Sequence, residues 1–528
     1  MNDLTKTIIA ILVAAGLSGA VYLTRPAPVA DARFSDQGQL LFPDFTDPTA
    51  AKGLQVLAYD EASAAIKPFK VEFDGTRWII PSHHGYPADA QKNMAEAAAV
   101  FIGLEKEQFV TDLASEHQAY GVLAPDDAAA PLKGRGTRIT LTGQGGAVLA
   151  DLIVGKEVKT TTADPGAAVT NRRYVRLPDK SRVYAINFSK TFSTAFVDWV
   201  ETDLLKLGSE PINTIVVDKY EVDEAQGIKN STEKLTITRA ATAPTDPMNP
   251  TAAAGGWMVD SKPGGPPIGG ETVNATRIEE MVGALRSLKI AGVRPKPQRL
   301  ADWFAGKTDK VTQMDVLDLQ SKGFFTTQQG QFVGNQGEMS VACADGVVYS
   351  LYFGEVLFGE GDALSAGKDV IASSGGETGP QPDQKGQESR YAFVNARFDE
   401  SLIPMPVAPA APETPSATPP AADTSPDPLP APGGAEQDSE PAEHSPASAP
   451  SADPAQVSYQ NELAERSKKV EAGKKRAAQL ASRFANWYYV VDASSFSKLR
   501  PSRGEVISKP VLPTSAAPPQ TGTPTLPQ

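Results

Sequence analysis

Gly75-Thr76-Arg77-Trp78-Ile79-Ile80, with the run at 91–104 (QKNMAEAAAVFIGL), decides the fold, because a later stretch writes the same unit again. That second copy is Gly255-Gly256-Trp257-Met258-Val259 with the run at 275–288 (ATRIEEMVGALRSL). Each opens with a glycine turn, passes through a tryptophan strand and a polar loop, and enters a helix. Met94, Ala97, Ala98, Phe101 and Leu104 align without a gap with Ile278, Met281, Val282, Leu285 and Leu288. Their i, i+3, i+4, i+7 spacing is that of one buried helical face. The match speaks to architecture and is silent on activity.

Before the first tryptophan, Leu54 to Tyr59 and Phe69 to Phe73 alternate as half-buried antiparallel strands do. After the helix, Arg138 to Thr142 and Val148 to Val154 flank Gly143-Gln144-Gly145-Gly146, a hairpin signal. Arg173 to Arg176 and Arg182 to Ile186 flank a second turn at Pro178-Asp179-Lys180-Ser181, and Phe192, Phe196 and Trp199 to Leu207 are expected to form a closing helix. The second unit repeats this order from Ile212, with strands at Ile215 to Val217 and Lys234 to Thr238, then Trp257, the helix, and a hairpin about Asp345-Gly346. Leu152 to Lys156 matches Leu351 to Glu355, and Arg173-Tyr174-Val175 matches Arg390-Tyr391-Ala392. The paired glycines Gly155 and Gly354 are expected to need positive φ.

The last strand of the second unit follows a Pro/Ala/Ser/Thr/Glu-rich tract, whose composition cannot build a packed core. Beyond it, Tyr488 to Asp492 and Phe496 parallel Val183 to Asn187 and Phe192, so the tract reads as a loop inserted inside the unit. A charged helix from Tyr459 to Phe484 precedes this strand, with Leu463, Val470, Ala477 and Phe484 on a thin apolar seam that suits packing on its own domain.

At 528 residues and 41% apolar content, the chain is long enough for two ordinary cores. A net charge of −13 repels phosphate backbones and so disfavours nucleic acid as a partner. The lone cysteine, Cys343, excludes an internal disulfide and reads as a small buried residue. Lys6 precedes an uncharged run from Thr7 to Leu23 that ends at Arg25-Pro26, which predicts a single N-terminal transmembrane signal anchor, with a signal peptide cleaved at the small residues of Val29-Ala30-Asp31-Ala32 as the alternative. The positive N-terminus orients the remainder outside the cytoplasm. The expected organisation is therefore a cytoplasmic tail at 1–6, the anchor at 7–24, a spacer at 25–52, a first unit at 53–208, a second unit at 209–403 plus 459–508, an inserted disordered tract at 404–458 and a disordered tail at 509–528.

Chemistry is sparse. The four histidines, His83, His84, His117 and His444, form no ligand set, and His83-His84 reads as a solvated loop pair. No nucleophile elbow or Walker loop is present, and Gly143 to Gly146 lacks the helix that a dinucleotide fingerprint requires. No catalytic, cofactor or metal residue is assigned, and no ligand is named. Trp78 and Trp257 could stack a sugar ring, but their place on matching strands favours packing.

The glycine-tryptophan strand, Pro87-Ala88-Asp89 before the helix, Tyr120-Gly121-Val122 followed by Pro125, and the Gly155 and Tyr174 positions together resemble the bacterial domain of unknown function 4340 family, over about 53–507 in two copies. The resemblance implies an extracytoplasmic companion of an ABC-type transport or gliding-motility system, anchored in the inner membrane. The expectation is an α+β protein of two related units, each a mostly antiparallel sheet with one or two packed helices, acting without catalysis. Its repeat positions are structural: Trp78, Trp257, Gly155, Gly354, Tyr174 and Tyr391. Rival expectations are an envelope structural protein and a cryptic hydrolase.

Overall fold

The structure, a computed structural model, describes residues 3–23, 36–62, 64–159, 171–224, 226–240, 256–268, 271–305, 307–308, 310–359, 361–367, 387–409 and 454–508. It begins with helix α1 (Asp3–Leu23). The first unit then contains β1 (Gly53–Asp60), β2 (Ala65–Phe73), β3 (Trp78–Ile80), β4 (Tyr86–Pro87), α2 (Gln91–Phe101), β5 (Gln108–Thr111), α3 (His117–Tyr120), β6 (Thr137–Thr142), β7 (Val148–Glu157), β8 (Arg172–Arg176) and β9 (Val183–Asn187). The second opens with β10 (Ile212–Asp223), β11 (Ile228–Arg239), β12 (Trp257–Lys262), β13 (Thr272–Val273), α4 (Ala275–Arg286), β14 (Gly292–Pro295), α5 (Gln298–Phe304), α6 (Gln313–Gln320), β15 (Phe324–Thr326) and β16 (Phe332–Gly334). It continues with β17 (Glu338–Cys343), β18 (Val347–Gly359), α7 (Gly361–Ala366), β19 (Gln387–Phe398), α8 (Pro454–Ala485), β20 (Trp487–Asp492), α9 (Ala493–Leu499), α10 (Arg503–Val506) and β21 (Ile507–Ser508).

The architecture is α+β with antiparallel sheets. The first sheet runs β4-β3-β2-β1-β6-β7-β8-β9-β5 and the second β12-β11-β10-β17-β18-β19-β20-β14. Apart from the two-residue β4, strand for strand the order is the same. Both tryptophan strands stand toward one side of their sheet, and both strands that follow the helix, β5 and β14, close the other. Alternation places one side of each strand inward, as in β12, where Trp257, Val259 and Ser261 are buried and the residues between them are exposed. Helices α2 and α4 lay the expected faces on their sheets: Met94, Ala97, Ala98 and Phe101 in one, Ile278, Met281, Val282 and Leu285 in the other, all buried.

The connection between β8 and β9 is the short turn at Leu177–Arg182, whereas its counterpart between β19 and β20 runs from Asp399 to Asn486. That connection holds α8 and residues 410–453; the latter, like the tail at 509–528, lie outside the described residues. Helix α8 starts at Pro454, and its buried Val470, Gly473, Ala477, Leu480 and Phe484 recur at alternating steps of three and four. This seam packs against β18 and β19 of its own unit. Strand β20 then enters the sheet, with Tyr489 opposite Ala392 on one side and Val293 on the other.

Several expectations need correction. Trp199 to Leu207 is not a helix; only Phe196–Trp199 makes a 3-10 turn. The backbone beyond it bonds across to the second unit, Leu204 N–H to Leu288 O at 2.9 Å and Ile290 N–H to Thr202 O at 2.9 Å, which takes groups that a helix would need internally. The described part of the 25–52 segment is no free spacer, because Leu41 and Phe45 enter the core and the Asp36 carboxylate accepts from Tyr184 Oη at 2.5 Å. Neither Gly155 nor Gly354 has positive φ. Nor are there two separate cores, since one cluster of buried side chains joins Leu54, Val56 and Phe101 to Ile215, Leu285 and Tyr489. Finally, among the described residues no helix is long and apolar enough to cross a membrane. The expected spanning segment is seen as α1, with Ile8, Ile11, Leu12 and Leu17 each half-exposed or more.

Candidate functional site: the capped face of the second sheet

The two sheets differ most on the face turned away from α2 and α4. In the first unit this face is a small patch of Val122, Ile153 and Val183 with Tyr120 and Tyr174. Its buried Arg176 is held by main-chain carbonyls, donating to Val122 O at 3.0 Å, Pro178 O at 2.8 Å and Lys180 O at 3.0 Å. In the second unit the same face is aromatic and roofed by α5, α6 and the β15–β16 hairpin. Phe324 stacks on Tyr488 with ring centroids 5.8 Å apart and planes 6° apart. Phe393 meets Phe304 at 4.5 Å and Phe332 at 4.6 Å. Such ring pairs add to the burial that holds the roof down.

Lys296 lies in this chamber, directly after the proline that ends β14. Its backbone N–H donates to Asn486 O at 2.8 Å, which fixes the side chain inward, and Nζ donates to Phe484 O at 3.0 Å. The Phe393 ring centroid is 3.8 Å from Nζ. Ring faces favour the cation, but the loss of water disfavours it more, and burial pushes the amine down to about 7. On the roof side, Asp318 accepts from Lys322 Nζ at 2.5 Å and from Tyr488 Oη at 2.9 Å. Burial and that carboxylate hold the Tyr488 phenol above its ordinary range. Helix α6 is pinned at its start by a capping box, in which Thr312 and Asp315 bond each other's backbone.

Between this roof and the tip of the β10–β11 hairpin is a cavity of about 200 Å³ lined by Trp303, Val311, Val316, Leu319, Phe324 and Phe325, with Glu224 at its edge. The hairpin tip is held to the roof by Gln328 Nε2 donating to Gln226 O at 2.7 Å. A larger cleft of about 630 Å³ lies in the first unit beside Gly143 to Gly146. Its charged groups are engaged locally: Lys70 pairs with Glu72 at 2.5 Å, Lys52 stands over the Phe73 ring at 5.6 Å, and Asp74 is held at about 2 by the backbone and side chain of its own turn. Volume alone therefore does not make it the better site.

The sequence-derived positions are not gathered in one place. Trp78 is half-buried on β3 with its ring edge-on to Phe73 at 5.5 Å, and Trp257 is buried on β12, donating from Nε1 to Glu279 Oε1 at 2.7 Å. Tyr174 meets Tyr120 at 4.7 Å, and Tyr391 borders the aromatic chamber. Gly155 lies against Tyr120-Gly121-Val122, where an added Cβ would stand 2.5 Å from Tyr120 O. Gly354 lies the same way against Lys322-Gly323-Phe324, so close approach, not φ, demands glycine at both. Gly121 and Gly323 are the ones with positive φ, at 72° and 78°, each following a helix and preceding a fully buried residue. Lys322-Gly323-Phe324 thus stands against the second sheet as Tyr120-Gly121-Val122 stands against the first. The signal for it in the sequence was a helix ending in glycine before an apolar residue.

His83 is buried, not solvated. It stacks on Phe196 at 4.4 Å and reaches Ser82 Oγ at 2.9 Å and Ser365 Oγ at 2.8 Å. His84 bonds Ala366 O at 2.8 Å. The Ser365–His83 spacing is that of a nucleophile and its base, but the other ring nitrogen meets a hydroxyl where a carboxylate would orient it. With exposures of 1% for His83 and 8% for Ser365, the pair is a cross-link between the units. His117 likewise bonds Ser181 O at 2.7 Å. Cys343 is buried on β17, and burial pushes its thiol up to about 12, away from reactivity. Among the described residues no cluster of His, Cys, Asp and Glu could hold a metal ion.

Residues 78–303 match the family described as a domain of unknown function, DUF4340. The match begins at Trp78 and ends at Trp303, so it crosses from the first sheet into the second. No curated protein and no solved structure matches the chain.

Proposed function

We propose that this chain is a membrane-attached binding or scaffolding protein that acts without catalysis, its body outside the cytoplasmic membrane of a bacterium, as an accessory to an ABC-type transport or gliding-motility-like system. The observation that carries attachment is α1. Ile8, Ile9, Ile11, Leu12, Val13 and Leu17 are exposed there, and no charge interrupts Thr7 to Leu23. At 100° per residue these side chains point all round the helix, so a protein groove on one side would leave the rest wet, whereas lipid covers every face. A crossing by α1, with Lys6 keeping the short tail on the cytoplasmic side, rests on the sequence run and the resemblance, because α1 itself is not long and apolar enough to count as a spanning helix. The link to a transport system, and the reading of the chain as two copies of one family unit, rest on the resemblance; the common strand order supports the second.

Expressed in a bacterium, the full chain should stay in the membrane pellet after a carbonate wash, and protease added to intact spheroplasts should digest its body. Leu12→Lys should shift it toward the supernatant. Recovery of the parent as a soluble protein beginning near Arg33 would refute attachment. Detergent-phase affinity capture that brings down no ATPase or permease would refute the transport association alone.

A further inference from the structure

The cleft of about 630 Å³ in the first unit lies on the face of its sheet turned away from α2, because Leu54 and Val56 of β1 enter the core and Gln55 alternates to the other side. Its floor is built around a missing side chain. Gly53 pairs with Glu72 of β2 and with Thr142 of β6, so one row across the sheet reads Glu72, Gly53, Thr142, and the next places Gln55 beside Lys70. A Cβ on Gly53 would collide with Thr142 Oγ1, so glycine leaves that hydroxyl leaning into the gap. One wall is the Phe73 ring, which Trp78 meets at 5.5 Å in an edge contact. Across β1 from it is the turn at Gly143 to Gly146, where Gly145 and Gly146 have positive φ and open space in place of side chains. The volume is in the range of small-ligand sites.

Formal charge in the cleft cancels. Lys70 pairs with Glu72, Lys52 and Asp74 balance each other, and just outside the lining Arg77 beside Asp74 offsets Asp47 near Lys52. What remains is uncharged: the carboxamides of Gln55 and Gln144 and the Thr142 hydroxyl, none of which has a hydrogen-bond partner among the described residues. Each of these groups both donates and accepts. A sugar hydroxyl does the same, and the C–H face of a pyranose packs on an aromatic ring. From this lining we infer that the cleft binds a neutral saccharide, with Phe73 against one sugar ring and Gln55, Thr142 and Gln144 on its hydroxyls. A phosphate or polyanion finds no excess of positive charge there. A peptide strand finds no free backbone, because β1 is paired on both sides. The inference goes beyond the proposed function: it needs neither attachment through α1 nor a transport partner, and its failure would leave both standing.

Calorimetry and saturation-transfer NMR test it on the full chain, solubilised in a detergent without a sugar headgroup. The probes are maltose, cellobiose, trehalose and N,N′-diacetylchitobiose, with inorganic phosphate and triglycine as competitors of other classes. At least one disaccharide should bind, with saturation strongest on the C–H protons of one ring face. Gln55→Ala and Gln144→Ala should each weaken it about tenfold. Phe73→Leu should erase the selective saturation of that ring face. Gln144 is exposed in its turn, so Gln144→Ala tests the site even if a strand substitution disturbs the sheet, and an unchanged melting temperature shows that each variant is folded. Glu465→Ala, at an exposed position of α8, should bind as the parent does. If none of the disaccharides binds, or if the Gln55 and Gln144 variants bind as the parent does, the saccharide site is refuted. Phosphate binding that is lost in Lys52→Ala, or triglycine binding that is lost in Gln144→Ala, without disaccharide binding would assign the cleft to an anion or a peptide and also overturn it.

Discussion

Lys296 is an amine placed where a methylene chain would suffice. Its folded value of about 7 lies below the ordinary 10.5. Between those limits the unfolded chain binds the extra proton, so stability climbs as pH rises through the window, and below it both states are protonated and the slope vanishes. Lys296→Met should remove that climb and stabilise the protein at neutral pH by on the order of 1 to 3 kcal/mol, net of the hydrogen bond lost at Phe484 O. Denaturation of both forms from pH 6 to pH 10 checks it, and parallel curves would show that the amine stays charged in its aromatic chamber. Gly155 carries the opposite kind of constraint, a lack of room. Gly155→Ala would press a methyl against Tyr120 O, Val122 and Gly121 O, within 2.5 to 2.9 Å, and should cost about 1 to 3 kcal/mol in thermal stability. A neutral substitution would mean that the Tyr-Gly-Val element yields.

At the scale of elements, α8 shows how an apolar seam chooses its partner. The steps of three and four suit a second helix as well as a sheet. Gly473 decides between them, because its missing side chain lets the helix lie on the Asp345 backbone and on Phe398, where a Cβ would collide with Asp345 O and approach Phe398 Cε2 to 2.6 Å. Gly473→Ala sets a propensity gain of about 1 kcal/mol against an overpacking cost of about 1 to 3 kcal/mol. The expected net effect is looser packing, read as faster amide exchange over 470–484 and in β20 with the first sheet unchanged. Slower exchange there would mean that propensity wins. Arg476, bonded to Asp345 at 2.5 Å and to Lys206 O at 2.9 Å, shows that the helix also reaches the link between the units.

For the molecule as a whole, the continuous core has a thermodynamic consequence. Two units that share buried surface, main-chain bonds at Leu204 and Ile290, and the His83–Ser365 contact should melt together. Calorimetry of the full chain should give one transition for the two sheets. Trp257→Ala, which empties a buried site and removes the bond to Glu279, should lower that whole transition by a loss of about 3 to 5 kcal/mol. A transition that splits, with half of it unmoved, would show independent units.

The strand order common to the two sheets was legible in the chain because its determinants are local: a glycine turn, a tryptophan strand and a helix whose apolar face recurs with the helical period. The same holds for the return of the last strand after the Pro-rich tract, since Tyr488 to Asp492 carries a continuous apolar signature wherever it falls in sequence. Contacts between distant segments leave no such period. His83 looked like a loop histidine until Phe196 and Ser365, more than a hundred residues away, enclosed it. Gly155 and Gly354 read as positions needing positive φ until another backbone was found lying on them. The aromatic chamber joins residues 296 to 488 with no shared motif. Hydrophobic patterning states which side of an element is buried, and tertiary structure alone decides against what.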